Sequence, residues 1–410
     1  MKRGIFKCAI FGVSLLFLGF SCRGGDLGGS AGAVGIAEEA AVLAALLAEP
    51  QPPVHAFTIV AAGDNLFHDV MVRQPPGGLD FLTHYLTYYA PIRSLIQSAD
   101  IAFINQETPL GGAEFGFSGW PLFNSPQELG LALIETGFNV VNHANNHALD
   151  MRERGLVATM DFWDSHPEVI YLGVHQSQER RDAPAVINAN GVRVGFLAYT
   201  YGTNGIPVPR NRPYIVSLID LEIMEAEISA LRPLVDFLAV SMHWGYEYVH
   251  SPNAEQRRLA AFLAELNVDL VIGHHPHVLQ PMEFLPRGDG GRTLVAYSLG
   301  NFISAQHDNN TLLGGLLYVE VQKKDGRVSI ERAGIIPVVT HYEAGFVNFR
   351  VYPIYDYTEE LASRHRNRTR ADLGRANISL QYFYNLARRV LGDAMIDYDP
   401  FAAGARGKEP

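Results

Sequence analysis

The stretch from Val271 to Gln280 reads Val-Ile-Gly-His-His-Pro-His-Val-Leu-Gln and continues an apolar run that begins at Val268. A short apolar run that ends in glycine is typical of a buried strand feeding a turn. Histidines in such a turn lie at the carboxyl end of the strand, where open α/β sheets bind their ligands. Histidine is also the commonest nitrogen ligand of divalent metals. The stretch therefore predicts a functional site rather than a few surface histidines in a loop.

Short apolar runs of this kind recur along the chain, with helical segments between them. Most are continuous rather than alternating, which is typical of strands buried on both faces. Strand and helix in alternation predict an α/β layered domain. The predicted strands are Phe57 to Ala62, Ile101 to Ile104, Phe138 to Val141, Val192 to Tyr199, Phe237 to Val240, Val268 to Ile272 and Thr293 to Tyr297. The predicted helices are Tyr88 to Gln97, Pro126 to Thr136, Gly155 to Ser165, Leu221 to Ala230 and Asn253 to Leu266.

Polar residues follow six of these predicted strands at the point where each strand ends. Their side chains are of the types that bind metals or donate hydrogen bonds. Strand ends in parallel register converge on one rim of a sheet, so we expect the six groups to meet in one site. The groups are Asp64 with Asn65, Asn105 to Thr108, Asn142 to Asp150, His243 with Trp244, His274 to His277, and Ser298 to Phe302.

The composition is that of a globular protein. Of its residues, 48% are hydrophobic and 18% are charged. A length of 410 residues is enough for one large domain or two ordinary ones. The net charge is -11 and no basic run stands out, which argues against nucleic acid as a partner. The two cysteines, Cys8 and Cys22, both lie near the N-terminus. A metal site in the folded body therefore has to use histidine, aspartate, glutamate and asparagine.

Residues 1–22 have the features of a targeting segment. A positively charged start precedes an apolar run that is too short for a comfortable transmembrane helix and that ends at Cys22. The segment resembles a bacterial lipoprotein signal peptide in which Cys22 is lipidated after cleavage; plain secretion and an uncleaved anchor are the alternatives. Each alternative places the body outside the cytoplasm, and lipidation attaches it to a bacterial membrane. Residues 23–55 are predicted to form a flexible tether.

The pattern changes after residue 301. The runs Leu313 to Val321 and Arg327 to Ala333 flank an Asp-Gly pair, which predicts an antiparallel hairpin, and Ile335 to Thr340 is expected to add a third strand. Two later segments, Tyr357 to His365 and Ser379 to Leu391, are predicted to be helices. Residues 346–410 are accordingly expected to form a C-terminal helical extension.

The polar groups together resemble those of one protein family. Their order, with an Asp first, an acid second, then Asn-His, His and His-x-His, is similar to the ligand order of calcineurin-like metallophosphoesterases. The motifs from Asn145 to Asp150, His243 to Gly245, His275 to Val278 and Ser298 to Phe302 resemble one branch of them, the CapA family associated with poly-γ-glutamate capsule synthesis. The resemblance covers about Phe57 to Val339. It implies a metallophosphoesterase-like α/β sandwich with mixed sheets over residues 56–345, followed by the antiparallel hairpin region.

The resemblance also implies roles for individual residues. Two divalent cations (Mn, Zn or Fe) would be held, one by Asp64 and His277 and the other by Asn146, His243 and His275, with Glu107 at the position of the bridging carboxylate. His147 matches the histidine that acts on the substrate. Asp150 is expected to orient His147 or, as the alternative, to cap the following helix. Asn301 and Trp244 are expected to contact substrate, with a place in the core as the alternative for Trp244.

The sequence departs from the metallophosphoesterase pattern at two places. Leu66 stands where a histidine is expected two residues after the first Asp, and His68 is a candidate substitute; the bridging Asp is Glu107. Three classes of function therefore stay open. The first is capsule or poly-γ-glutamate biosynthesis together with other capsule-synthesis membrane proteins. The second is hydrolysis of a phosphoester or an anionic envelope polymer. The third is a surface lipoprotein without catalysis.

Overall fold

The computed structural model describes residues 55–369 and 377–402, which form two mixed sheets flanked by helices. The strands are β1 (His55–Asn65), β2 (Ile101–Gln106), β3 (Val140–Asn142), β4 (Ile170–Leu172), β5 (Ala185–Ala189), β6 (Val192–Thr200), β7 (Phe237–His243), β8 (Leu270–His274), β9 (Met282–Pro286), β10 (Arg292–Ala296), β11 (Asn301–Ile303), β12 (Leu313–Lys324), β13 (Arg327–Glu343) and β14 (Val347–Pro353). The α-helices are α1 (Phe81–Tyr89), α2 (Arg93–Gln97), α3 (Glu128–Thr136), α4 (Arg152–Asp164), α5 (Gln178–Asp182), α6 (Leu221–Leu231), α7 (Ala254–Glu265), α8 (Glu359–Arg364) and α9 (Leu380–Leu391).

The first sheet has eight strands, in the order β14-β13-β12-β1-β2-β3-β4, with β11 paired to the end of β1. Strands β1 to β4 are parallel to one another, whereas β12, β13 and β14 are antiparallel to their neighbours. The carboxyl ends of β1, β2 and β3 therefore meet at one edge, and the loops that follow them start side by side.

The second sheet has six strands, in the order β5-β6-β7-β8-β10-β9. Strands β6, β7, β8 and β10 are parallel, and the edge strands β5 and β9 are antiparallel to their neighbours. This sheet thus has its own row of adjacent carboxyl ends.

The two sheets pack face to face, and helices cover their outer faces. Along β7 the side chains alternate: Phe237 and Ala239 belong to the core that joins the two sheets, while Leu238 and Val240 pack with the buried residues of α6 and α7. The rings of Phe57 in β1 and Phe237 in β7 meet edge to face, with centroids 5.9 Å apart. A strand that is buried on both faces has to be apolar throughout, which is why β7 reads as a continuous apolar run.

The predicted α/β class with mixed sheets and a hairpin region is confirmed, with corrections at three places. The helix expected from Tyr88 to Gln97 is two helices, α1 and α2, separated by a break that contains Pro91. The third strand expected at Ile335 to Thr340 is instead part of β13, whose 17 residues carry it past the hairpin. The segment 346–410 begins with strand β14 before its helices.

The predicted signal peptide 1–22 with Cys22 lipidation and the predicted tether over residues 23–55 lie outside the described residues, except for His55, which begins β1. Within residues 55–369 and 377–402, every helix is too short or too polar to cross a bilayer.

Candidate metal centre

Donor side chains from both sheets meet at one place. The first sheet contributes Asp64 near the end of β1, Glu107 directly after β2 and Asn146 in the loop after β3. The second sheet contributes His243, the last residue of β7, with His275 and His277 from the loop after β8. All six side chains are buried. The structure thus brings together the six residues that the sequence marked as metal ligands.

Glu107 lies between the histidines of the second sheet. Its Oε1 atom is 3.8 Å from Nε2 of His243 and 3.8 Å from Nε2 of His277. Among the described residues, no group donates a hydrogen bond to either carboxylate oxygen. Burial, and then the negative charge of Asp64, raise the pKa of Glu107 well above its ordinary value. A buried carboxylate without donors indicates that a positive partner belongs here.

Asp64 is held by donors on both of its oxygens. Asn105 donates to Oδ1 at 2.8 Å, and Nδ1 of His277 lies 3.0 Å from Oδ2. Burial alone would raise the pKa of Asp64, but hydrogen bonds from His274 and His277 outweigh burial and hold the pKa well below its usual range. The same interactions act in reverse on His277: burial opposes its charge, yet Glu107 and Asp64 raise its pKa to about 9.

Burial disfavours the charged forms of His243 and His275. Burial lowers the pKa of His243 well below its usual value and that of His275 to about 3. Nε2 of His243 lies 2.8 Å from the amide oxygen of Asn146 and 3.8 Å from Oε1 of Glu107. Within the described part of the chain, Nδ1 of His243 and Nδ1 of His275 have no hydrogen-bond partner. A neutral imidazole with a free nitrogen is the form in which histidine binds a metal.

These residues fit divalent cations. Glu107, His243 and His275 form one group whose ligand atoms lie within 4.8 Å of one another, and Asp64, Glu107 and His277 form a second such group. Glu107 belongs to both groups, as expected of a carboxylate shared by two ions. The exposed Glu247 forms a third group with His275 and His277. Nitrogen and oxygen donors of this kind suit Zn, Mn or Fe.

His147 and Asp150 form a hydrogen-bonded pair beside this cluster. Nδ1 of His147 lies 2.8 Å from Oδ2 of Asp150, and the backbone N–H of Phe123 donates to the same oxygen at 2.7 Å. The ring of Phe123 packs edge to face on His147 at 4.7 Å. Because Asp150 fixes Nδ1, the other ring nitrogen of His147 is directed away from Asp150. Asp150 therefore orients His147; the alternative of a helix cap does not describe its contacts, because α4 has no side-chain cap.

The two residues expected to contact substrate are both buried. Trp244 is only 2% exposed, and its indole N–H donates to the carbonyl oxygen of Tyr297 at 2.9 Å. It belongs to the core beneath the helices, so the substrate-binding prediction for Trp244 does not fit. Asn301 is also buried; its amide oxygen lies 3.1 Å from Nδ1 of His277, so it positions that histidine.

Leu66 is a core residue, and His68 does not replace the missing histidine. Nδ1 of His68 lies 3.2 Å from the carbonyl oxygen of Leu66, and its ring packs against Phe123 at 5.5 Å. Burial lowers the pKa of His68 to about 4. His68 belongs to none of the ligand groups that the described residues form. The site therefore offers one histidine fewer than the metallophosphoesterase pattern.

Sequence reasoning missed three residues that complete the site. Asn204 accepts from Asn146 Nδ2 at 3.1 Å and lies 3.4 Å from Nδ1 of His147. Tyr201 packs on His275 with ring centroids 4.7 Å apart. Both follow β6, the one predicted parallel strand whose polar end was not counted. His274 was left out of the ligand set. Its Nδ1 atom lies 3.4 Å from Oδ1 of Asp64 and so helps to position that carboxylate.

Two backbone contacts next to the site leave no room for a side chain. A Cβ on Gly63 would lie 1.9 Å from the carbonyl oxygen of Gly300, and a Cβ on Gly273 would lie 1.9 Å from that of Tyr297. Only glycine allows such contacts. His275 and His277 have backbone φ angles of 95° and 57°, which residues other than glycine rarely adopt. Backbone strain of this kind concentrates at functional sites.

This fold and donor set define a class: an α/β sandwich with a site for divalent metal at the edge shared by its sheets. Residues 58–306 match the family of bacterial capsule synthesis proteins named PGA_cap, and the chain belongs to that family. The expectation of CapA-family membership is thereby confirmed.

Individual relatives carry similar names. The chain is 32% identical to the PGA biosynthesis protein CapA of Bacillus subtilis (strain 168), over 51% of this chain and 53% of that protein. It is 31% identical to the capsule biosynthesis protein CapA of Bacillus anthracis, over 45% of this chain and 44% of that protein. The chain thus spans about half the length of these relatives. An uncharacterized protein of Sinorhizobium fredii, y4sH, is 25% identical over 82% of this chain and 85% of its own length.

Two solved structures are also similar. A phosphatase from Mycoplasma pneumoniae superposes with a TM-score of 0.44 at 13% identity, over 70% of this chain and 95% of that one. The calcineurin-like phosphoesterase YfkN of Bacillus subtilis superposes with a TM-score of 0.40 at 13% identity, over 70% of this chain and 91% of that one.

Proposed function

We propose that this protein is a metal-dependent hydrolase that acts on an anionic polymer or a phosphoester of the bacterial envelope, in the service of capsule biosynthesis. One observation carries the proposal: Glu107 is buried among metal-binding side chains with neither carboxylate oxygen hydrogen-bonded to a described residue. A protein that used this place only for packing would gain stability from a neutral residue there. The names of the Bacillus relatives supply the capsule context.

The ligands divide between two divalent ions, Mn, Zn or Fe. Asp64, Glu107 and His277 would hold one ion, and Glu107, Asn146, His243 and His275 the other. Two such ions, when bound, supply Lewis acidity to a phosphoryl or carbonyl oxygen of the substrate. Asn105 and Asn301 keep Asp64 and His277 in the orientation that this requires.

The His147–Asp150 pair favours turnover over mere binding. Asp150 accepts the Nδ1 proton of His147 and so presents Nε2 to a substrate held at the neighbouring cluster. A histidine oriented in this way donates a proton to a leaving oxygen or stabilises the charge that develops on it, and positioned acid–base groups contribute about 10²–10⁴ in rate. A protein that only held a polymer would have no use for such a pair.

The test compares three forms of the full-length protein: wild type, His147→Ala and His275→Ala. We expect wild type to retain two metal ions and to cleave aryl phosphate mono- or diesters. His147→Ala should keep the metals and lose most turnover, because it touches no ligand position, whereas His275→Ala should lose both. His166→Gln, just beyond the C-terminal end of α4, serves as the control with unchanged values. A wild type that holds metal and cleaves nothing would support polymer binding without catalysis instead.

The place of the protein in the cell is a separate proposal. The charged start, short apolar run and terminal Ser21-Cys22 support a lipoprotein signal, and hence an extracytoplasmic body anchored through Cys22 beside the membrane proteins of capsule synthesis. Metabolic labelling with a radioactive fatty acid should mark wild type and leave Cys22→Ser unlabelled. Equal labelling of the two proteins would refute the anchor.

A further inference from the structure

Two half-exposed tyrosines flank the histidines of the metal centre. Tyr201 is 49% exposed, and its ring centroid lies 4.7 Å from that of His275. Tyr248 is 51% exposed, and its ring centroid lies 6.1 Å from that of His277. The rings of His275 and His277 are themselves 5.9 Å apart. The tyrosine pair, as we call Tyr201 and Tyr248, therefore borders the cluster from two sides with ring surface left open to solvent.

Burial and nearby carboxylates both act on the hydroxyl groups of the tyrosine pair. Burial, followed by the charges of Glu247 and Glu107, raises the pKa of Tyr201 to about 12. Burial and the same two carboxylates, with Asp308, raise the pKa of Tyr248. The hydroxyl group of each ring can donate a hydrogen bond. The hydroxyl of Tyr201 also lies 3.5 Å from the amide oxygen of Asn204, which is a hydrogen-bond acceptor at the same rim.

The described arginine and lysine side chains form no ion pair with the carboxylates of the cluster. Within residues 55–369 and 377–402, no arginine or lysine pairs with Asp64, Glu107, Asp150 or Glu247, and the ion-pair partners of the first three are histidines. Arg212, in the loop after Tyr201, pairs with Glu153. Two divalent cations carry four positive charges, of which Asp64 and Glu107 cancel two. The centre can therefore accept one doubly charged phosphoryl group, while the rim around it repels further negative charge.

We propose that the substrate is a glycosyl phosphate, with its phosphoryl group at the metals and its sugar ring on the tyrosine pair. This rests on the proposed function for the phosphoryl position. The C–H face of a sugar ring is apolar and suits the electron-rich face of an aromatic ring. Its hydroxyl groups find acceptors in Glu247 and Asn204. A γ-glutamyl polymer, with a carboxylate on every residue, would instead bring its charges against Glu247 and Asp308.

Binding of small probes to the Mn²⁺-loaded full-length protein, measured in the His147→Ala background so that the phosphates are not cleaved, tests this by calorimetry. The probes are α-D-glucose 1-phosphate, methyl phosphate and γ-glutamyl trimer. We expect glucose 1-phosphate to bind about tenfold more tightly than methyl phosphate, equivalent to about 1.4 kcal/mol, and more tightly than the trimer. Tyr201→Ala and Tyr248→Ala should bring the ratio of the dissociation constants of methyl phosphate and glucose 1-phosphate towards one. Tyr201→Phe should retain most of the difference between these constants. Tyr171→Ala, at the edge of the first sheet, is the matched control and should keep the full ratio.

Equal affinities for the two phosphates, or tighter binding of the γ-glutamyl trimer, would overturn the glycosyl phosphate. Either result leaves the proposed function standing as long as the protein cleaves aryl phosphates. A protein that binds glucose 1-phosphate with the expected preference but cleaves no phosphoester would defeat hydrolysis and keep the inference. A protein that retains no metal would defeat both, since the phosphoryl group would then have no site.

Discussion

Replacing Glu107 by glutamine distinguishes a metal-holding carboxylate from a structural one. Glutamine keeps the shape of the side chain and removes its charge. In the metal-free protein that charge is buried beside Asp64, and no described residue donates a hydrogen bond to it. A buried group left without partners costs about 1–3 kcal/mol, and more when it is charged. We therefore expect metal-free Glu107→Gln to exceed metal-free wild type in unfolding free energy by about 1–2 kcal/mol at pH 7.5.

Metal should reverse this order. A ligand that binds only the folded state stabilises it by about 2.7 kcal/mol when present at 100 times its dissociation constant. Wild type should show this gain with Mn²⁺. Glu107→Gln lacks the negative charge shared by the two ligand groups, so its gain should fall below about 1 kcal/mol at the same Mn²⁺ concentration.

The assay is urea unfolding followed by tryptophan fluorescence, in EDTA and in excess Mn²⁺. Glu247→Gln, which changes an exposed carboxylate of the same cluster, is the control and should leave the metal-free stability unchanged. The raised pKa of Glu107 also makes the unfolding free energy of wild type depend on pH. This free energy decreases as pH rises from the unfolded-state pKa of Glu107 through its folded-state pKa. The advantage of the variant should accordingly vanish below about pH 4.5, where both states carry the proton. A variant less stable than wild type in EDTA, or one with an equal Mn²⁺ shift, would refute the reasoning.

Three further outcomes are expected. Both ring nitrogens of buried His365 bond to backbone groups, and burial lowers its pKa to about 3, so unfolding free energy should be full above pH 6.5 and fall by up to about 1.4 kcal/mol per unit below it. His365→Gln should flatten that slope in urea unfolding at pH 4.5–7.5. Gly273→Ala should cost about 1–3 kcal/mol and weaken Mn²⁺ binding measured by calorimetry, because its Cβ would strike the Tyr297 carbonyl. Trp244→Phe should cost about 1–3 kcal/mol and leave the KM of hydrolysis unchanged; a raised KM would restore its predicted substrate contact.

The central parallel strands were predictable because burial on both faces leaves a continuous apolar run. Edge strands do not show such a continuous apolar run. β5 and β9 are half-buried, with polar and apolar residues mixed, and the sequence analysis missed both. The break between α1 and α2 was within reach, since Pro91 stands inside the expected helix. The extent of β13 was not, because Gly334 inside the run is typical of the end of a strand, whereas in the fold a Cβ at this position would lie 2.7 Å from the side chain of Ile396.

The site was predictable for the same reason as the sheet. Carboxyl ends of parallel strands converge, so residues such as Asp64 and His243 could be placed together from strand order alone. Side-chain direction could not be read in this way. Trp244 follows His243 directly, yet alternation along the strand turns it to the opposite face. Asn204 and Tyr201 needed the loop after β6 to fold back over the site, which short-range sequence pattern does not encode.

The donors of the metal centre come from two different sheets, and this has a mechanical consequence. Asp64 and His277 are 213 residues apart in the chain yet 3.0 Å apart in space. An ion held between them ties the facing edges of the sandwich together, much as a covalent bridge would close a very long loop. The layers cannot slide or part at that edge until the ion leaves. Loaded protein should therefore resist unfolding over time, with slowed hydrogen exchange in β1 and β8 together, while strands β9 and β14 at the far edges exchange as before.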